Sequence, residues 1–360
     1  MKLVHLYIFG IGNVGKTLIE QVLESHTFFK EKHEIDLRIV GLANSTHTIL
    51  KESGVDEDWQ NEFKSKGIDR KPDAFYESFA TIPDFKIAVD ATASKDLSLY
   101  YVELLSKGFH IVTANKIANT LNYTYYKEIR EIAAFKDLRF EYETNVGAAL
   151  PIVESIKQLY KSGEEIVKIS GVFSGSLGYI FSRFSQEEKQ FSQLLQDALV
   201  DGYTEPDPRD DLSGMDVARK LLILAREAGY VIELDDIEVD NLVPVELRNI
   251  GKQEFLDRIN ELDTPFQNLK KNLGENSVLR HLGILDLKKE SLTVKLEVVD
   301  KQSPAGLLRG SDGFFEVYTK SYGKQPLVIQ GAGAGKQVTA RGLLSDIIKV
   351  AMTAGQPVLR

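Results

Sequence analysis

"LVHLYIFGIGNVGKTLIEQVLES", Leu3 to Ser25, decides the fold. A β-rich apolar run ends in a glycine turn, and a helical pattern follows at once. Gly10, Gly12 and Gly15 form G-x-G-x-x-G around Asn13 and Val14, and Leu18, Ile19, Val22 and Leu23 give the next segment an apolar stripe. The chemistry needs each glycine for its own reason. One permits the tight turn, one lets backbone approach a pyrophosphate, and one lets the helix close on the strand. The helix N-terminus then offers unpaired N–H groups to the phosphates. Strand before and helix after is the context that separates a dinucleotide site from a merely structural glycine turn.

Working outward, the strand-like "IDLRIVGLANST" ends at Ala43, Asn44, Ser45 and Thr46. An NAD site usually carries an acidic residue here for the ribose 2′-hydroxyl. Its absence leans towards NADP and leaves NAD open. "FKIAVDATAS" ends in Thr92, Ala93 and Ser94, and "GFHIVTANK" ends in Thr113 to Lys116. Strands alternating with helices predict a doubly wound parallel sheet of Rossmann type, with ligand at the carboxyl ends of the strands. That rule puts Lys116 near a nicotinamide; a surface lysine after a strand is the plainer reading.

The chain has 360 residues, 43% hydrophobic and 27% charged, with a formal net charge of −9. Two domains, or one domain with a sizeable insertion, are expected from that length. No basic stripe offsets the acidity, so neither nucleic acid nor an anionic membrane is an expected partner. No apolar run approaches the roughly 20 residues of a membrane span, and the expectation is a cytoplasmic protein. Cysteine is absent. That excludes disulfides, thiolate zinc sites and a thiohemiacetal route from aldehyde to acid. An oxidoreductase built this way would exchange hydride between a carbonyl and an alcohol.

Past the first third, "FEYETNVGAALP" reads as a strand ending near Glu143, a turn at Asn145 to Gly147, and a helix opened by Pro151. "FSGSLGYIF" places Ser174 and Ser176 before a helix, either as caps or as donors to a carboxylate. "FSQLLQDALVDGYTE" is an amphipathic helix closed by Gly202. "PDPRDD" reads as a fixed loop, with Ser213 capping the helix that follows. On that helix Asp216 and Lys220 stand four apart, a spacing that on a surface is worth only about 0.3–0.5 kcal/mol. Leu221 to Leu224 make the helix apolar nearly all round, however, and Glu205, Asp207, Asp210 and Asp211 crowd just upstream. Buried charge must be matched, and carboxylates beside a lysine suit the binding of an ammonium group with proton transfer. Runs from Ser277 to Gln330 predict an antiparallel sheet.

The segment "ALVDGYTEPDPRDDLSGMDVARK", Ala198 to Lys220, resembles the signature of homoserine dehydrogenases, with "TANKIANT", "ETNVGAALP", "FSGSLGYIF" and "GAGAGKQVTARG" similar to further family segments. The resemblance covers essentially the whole chain and is similar to the dehydrogenase half of bifunctional aspartokinase–homoserine dehydrogenases. With neither a kinase nor an ACT domain in the sequence, threonine feedback through such a domain is not expected. The resemblance implies NAD(P)H-dependent interconversion of L-aspartate 4-semialdehyde and L-homoserine. It implies a cofactor site at Gly10, Gly12, Asn13, Val14, Gly15, Asn44, Thr92, Ala93, Ser94, Lys116, Gly202 and Gly335. Lys116 and Lys220 would be catalytic, and Glu205, Asp211, Asp216, Ser176 and Tyr203 would bind substrate. Glu143 and the carbonyls of Val146, Ala148 and Leu150 would hold Na⁺ or K⁺. Ala149 departs from the glycine common in that turn, which would carry a cost if the position needs positive φ. A homodimer is implied, with residues 1–141 and 335–360 as nucleotide domain, 142–160 and 277–334 as dimerisation region, and 161–276 as catalytic region. Another Rossmann oxidoreductase and a nucleotide-sensing regulator are the alternatives.

Overall fold

The computed structural model describes residues 1–69 and 85–354, so residues 355–360 of the expected nucleotide domain lie outside the described residues. The chain forms two compact units, residues 1–149 with 335–360, and residues 150–334.

In the first unit, β1 (Lys2–Phe9) runs into α1 (Asn13–His33) and returns as β2 (Ile35–Ala43). Val4 to Phe9 are all buried, the mark of a strand covered on both faces. Beyond β2 lie β3 (His47–Leu50), α2 (Trp59–Lys66) and β4 (Ile68–Asp69). On the other side, β5 (Lys86–Asp90), α3 (Lys95–Leu99), α4 (Tyr101–Ser106), β6 (His110–Thr113), α5 (Ile117–Thr120), α6 (Tyr123–Phe135) and β7 (Phe140–Glu141) follow. Among the described residues the sheet order is β4-β3-β2-β1-β5-β6-β7. β2, β1, β5, β6 and β7 pair in parallel, while β3 and β4 form an antiparallel edge. The order therefore reverses beside β1, where a doubly wound sheet opens its ligand crevice.

The second unit carries α7 (Ile152–Lys161), β8 (Ile166–Val172), α8 (Gly175–Phe184), α9 (Phe191–Val200), α10 (Pro208–Leu212) and α11 (Met215–Glu227). β9 (Glu238–Val239), α12 (Val245–Arg248), α13 (Lys252–Asp257) and α14 (Asp263–Lys271) precede β10 (Ser277–Asp286), β11 (Ser291–Asp300), β12 (Asp312–Thr319) and β13 (Leu327–Ala332). The sheet order is β13-β12-β8-β10-β11-β9. All pairings are antiparallel except β11 with β9, which makes the sheet mixed. Its helical core stacks Phe191 on Phe266 with ring centroids 3.7 Å apart. The last helix, α15 (Lys336–Thr353), belongs to the first unit, where Leu343, Leu344, Ile347 and Val350 join the core of β1, β2 and α1. No described helix is long and apolar enough to cross a membrane.

Three local expectations are corrected. "PDPRDD" is not a loop: Pro208 to Leu212 form a helical turn, with proline at its start and the Asp207 side chain accepting from the Arg209 N–H. Proline at a first helical position removes an N–H that lacks a partner anyway, so it begins a helix there. The cap of α11 is Gly214, at φ 74°, rather than Ser213. The Ser213 hydroxyl donates to the Asp210 carbonyl, closing α10, and accepts from the Met215 N–H at 3.3 Å. Glu143 does not end a strand: β7 stops at Glu141, and Glu143 opens a 3-10 turn through Asn145.

Candidate active site

At the carboxyl end of β1, each glycine of the first turn meets a different constraint. Gly10 holds φ 90°, and a Cβ there would lie 2.7 Å from Thr92 Cγ2 and 2.8 Å from the Ala91 carbonyl oxygen. A Cβ on Gly15 would fall 1.8 Å from the Gly10 carbonyl oxygen. A Cβ on Gly12 would meet nothing within 4 Å. Gly10 therefore serves the turn and its contact with the end of β5, Gly15 the approach of α1 to that turn, and Gly12 leaves open space. Gly12 is also the N-cap of α1, with Asn13 and Val14 in the first turn and no acidic side chain there to compete with an anion.

A buried carboxylate ties down the neighbouring loops. Asp90 accepts from the Thr92 N–H (2.7 Å), the Tyr101 hydroxyl (2.7 Å) and Asn115 Nδ2 (3.1 Å). Burial raises the Asp90 pKa, and these hydrogen bonds pull against it. Tyr101 is pushed well above the ordinary phenol value by burial and then by the Asp90 charge. Ser94 donates its N–H to the Thr92 hydroxyl and caps α3 by accepting from the Leu97 N–H, while Asn115 Nδ2 also donates to the Ser94 carbonyl. Thr92, Ala93 and Ser94 are thereby fixed at the end of β5, and half-buried Lys116 leads into α5. The sequence reading missed Asp90, Tyr101 and Asn115. The one available signal was an aspartate closing an apolar strand, which is unpaired charge in a place that should be buried. After β2, Asn44 Oδ1 accepts from the Thr46 and His47 N–H groups, so its side-chain carbonyl serves its own turn.

Further along the first unit, the Glu143 N–H donates to Asp346 on α15. Burial, with the Glu141 and Glu143 charges adding, pushes Asp346 up to about 8. Val146 is buried, and Ala148 adopts φ 55° next to Gly147 at φ 74°. Ala149 is not among the positive-φ residues, so its side chain carries no left-handed strain. No described group of three or more His, Cys, Asp or Glu residues could hold a metal. One carboxylate with backbone carbonyls is a hard oxygen set of the kind an alkali cation takes, and it lies where acid is in excess. Leu150 falls in the second unit. Gly335, at φ 117°, is the N-cap of α15.

In the second unit the charged stretch divides in two. Asp207 pairs with Arg209 at 2.6 Å, and Arg209 Nη1 donates to the carbonyls of Leu247 and Ile250. That half caps α10 and ties it to the segment from Leu247 to Ile250. The other half gathers at the turn between β8 and α8. Lys220 Nζ donates to the Phe173 carbonyl at 2.7 Å and pairs with Asp216 at 2.6 Å. Its side chain is 13% exposed against 47% for Asp216, so this is not the solvated pair that spacing alone would allow. Ser176 donates to Asp211 Oδ1 at 2.6 Å, and the Glu205 N–H donates to Asp211 Oδ2 at 2.8 Å. Burial raises the Asp211 pKa, opposed by those two hydrogen bonds. Ser174 caps α8 through the Leu177 N–H. Glu205 is exposed. Tyr203 stacks on Tyr179 at 4.0 Å, and Gly202 at φ 74° ends α9 with the Tyr203 N–H returning to the Ala198 carbonyl. Beside Gly214, the N-cap of α11, lies buried His281, with no hydrogen-bond partner on either ring nitrogen.

An apolar helix carrying an anchored lysine, a half-buried aspartate and hydroxyls in one unit, with a nucleotide turn in the other, is a dehydrogenase's equipment. Residues 10–143 match the family model "Homoserine dehydrogenase, NAD binding domain", and residues 151–348 match "Homoserine dehydrogenase". The chain belongs to the homoserine dehydrogenase family. It is similar to the homoserine dehydrogenase of Emericella nidulans, 34% identical over 96% of this chain and 98% of that one. It is also similar to a bifunctional aspartokinase/homoserine dehydrogenase of Buchnera aphidicola, 40% identical over 97% of this chain. The chain spans 43% of that relative's length. A crystal structure of a Candida auris protein of unknown function aligns with a TM-score of 0.90 at 34% identity, covering 98% of this chain and 99% of that one. Membership of the homoserine dehydrogenase family makes the first unit a nicotinamide-cofactor domain and accounts for the Gly10 to Gly15 turn.

Proposed function

We propose that this chain catalyses the reversible NAD(P)H-dependent reduction of L-aspartate 4-semialdehyde to L-homoserine, a step of threonine and methionine biosynthesis. The observation that carries the reading is Lys220, held by the Phe173 carbonyl and Asp216 while Asp211 lies half-buried at the same turn. The nicotinamide, when bound, supplies or accepts the hydride. Lys220 supplies the proton to the oxygen of the reduced carbonyl. Once it does so, the neutral amine still has two N–H bonds for Phe173 and Asp216, so the nitrogen keeps its place and its aim. Asp211, Asp216 and Glu205 hold the substrate, Asp211 taking the ammonium. Lys116 is a second cation for the developing alkoxide.

Several finer readings belong to the same proposal. NADP is favoured because Ala43 to Thr46 offer no carboxylate to repel a 2′-phosphate. Glu143 with the carbonyls of Val146, Ala148 and Leu150 would hold Na⁺ or K⁺, a reading supported by the hard oxygen set. Residues 142–160 and 277–334 would make a homodimer, residues 161–276 would carry catalysis, and the protein would work in the cytoplasm.

The test is the homoserine-dependent formation of reduced cofactor, run with NADP⁺ and NAD⁺ in parallel on wild type and Lys220→Ala. Wild-type turnover is expected to fall by about 10³-fold in the variant, with nucleotide affinity kept. Wild type that binds nucleotide and leaves homoserine untouched would overturn the assignment.

A further inference from the structure

Ser174, Ser176 and Asp211 form a chain of hydrogen bonds whose direction is determined. Ser174 Oγ accepts from the Leu177 N–H at 3.2 Å and lies 2.9 Å from Ser176 Oγ. Ser176 Oγ lies 2.6 Å from Asp211 Oδ1, and an ionised carboxylate only accepts. The single hydroxyl proton of Ser176 therefore goes to Asp211, and Ser174 must donate to Ser176. The roles of both hydroxyls thus follow from the carboxylate, and the chain starts at one N–H of α8, that of Leu177, which donates to Ser174. Asp211 Oδ2 is held separately by the Glu205 N–H at 2.8 Å. Its carboxylate is fixed through both oxygens, from two different segments, and each oxygen keeps a lone pair for an ammonium.

This arrangement uses up what Ser176 could offer a substrate carboxylate. A carboxylate needs a donor, and the Ser176 proton is already given. We propose that Ser176 is a positioning residue: its hydroxyl fixes Asp211 for the ammonium end of the substrate and makes no contact with the substrate's carboxylate. The inference rests on the homoserine dehydrogenase reading, in which Asp211 takes the ammonium.

The test separates the two ends of the substrate. Wild type, Ser176→Ala, Ser174→Ala and Asp211→Asn are assayed for homoserine turnover and thermal melting. Two competitive inhibitors are titrated, 3-aminopropan-1-ol, which keeps only the ammonium, and 4-hydroxybutanoate, which keeps only the carboxylate. Loss of a hydrogen bond to a charged group predicts that Ser176→Ala raises the homoserine KM and the 3-aminopropan-1-ol inhibition constant about tenfold. kcat and the 4-hydroxybutanoate constant should stay within about twofold, and Asp211→Asn should move the same two quantities further. Ser174→Ala keeps the Ser176 hydroxyl but loses its upstream donor, so it should shift them in the same direction by less. If Ser176→Ala does not fold, Ser174→Ala carries the comparison. Weakened 4-hydroxybutanoate binding, or unchanged binding of both inhibitors, overturns the proposal. Wild type inert towards homoserine overturns the reading beneath it, an outcome visible before any variant is compared.

Discussion

Gly12 and Gly15 are three residues apart and face opposite tests. A methyl on Gly15 collides with the Gly10 carbonyl oxygen at 1.8 Å, whereas a methyl on Gly12 enters open space. Gly15→Ala should therefore cost about 3 kcal/mol or more in a urea melt, because backbone has to move. Gly12→Ala should melt within about 0.5 kcal/mol of wild type and yet raise the nucleotide Kd about tenfold or more, since the methyl occupies the phosphate's approach. Equal losses of stability in the two variants would argue against a phosphate at Gly12. Lys220 and Ser176 differ in the other unit as well: Lys220 is held by the Phe173 carbonyl and Asp216, and Ser176 gives its proton to Asp211.

Among the elements, α10 shows what sequence conveyed and what it did not. The strand–turn–helix around Gly10, the alternation after it and the buried face of α11 were legible because each rests on local periodicity or on one glycine's backbone. α10 was not, because proline and aspartate signal loop and helix start alike, and only the chain beyond settles which. Asp207 resolves it by capping the turn while holding Arg209, which reaches the carbonyls of Leu247 and Ile250. Asp207→Ala should lose about 1–2 kcal/mol in a denaturant melt, and Asp207→Asn should recover most of the cap but not the ion pair. The Asp90 network and the Ser174–Ser176–Asp211 chain were illegible for another reason. Each joins residues distant in sequence, and the spacing of neither set differs from chance. Charge density marked the neighbourhood of Asp211 and Lys220; which acids face the site and which hold the loop required the fold.

At the scale of the molecule, burial drives down a histidine in each unit. In the first, His110 is driven down to about 4 chiefly by burial, with Lys2 and Arg139 adding, and its Nδ1 accepts from the Arg139 N–H. In the second, burial alone brings His281 to about 4. Both values lie below the ordinary 6.5, so the unfolded chain takes up protons that the folded chain refuses. Above about pH 6.5 neither state is protonated at these histidines, and they leave stability unchanged. As pH falls towards 4, each histidine should cost about 1.4 kcal/mol per pH unit. Asp346, raised to about 8, pulls the other way over the same range, so the histidine share is read as a difference: in urea melts between pH 7 and pH 4.5, wild type should lose stability relative to His281→Gln by about that slope. A slope unchanged by that substitution would place the acid sensitivity elsewhere.

The return of α15 to the first unit has a consequence for how the protein is made. The segment 150–334 interrupts the first unit, whose core waits for Leu343, Leu344, Ile347 and Val350. On the ribosome, the inserted unit has its whole sequence available while the earlier one still lacks a wall. At about 5–20 residues per second, the stripe of Leu18, Ile19 and Val22 goes without its final cover for some fifteen to sixty-five seconds. The nucleotide unit, first to be translated, is the last able to close.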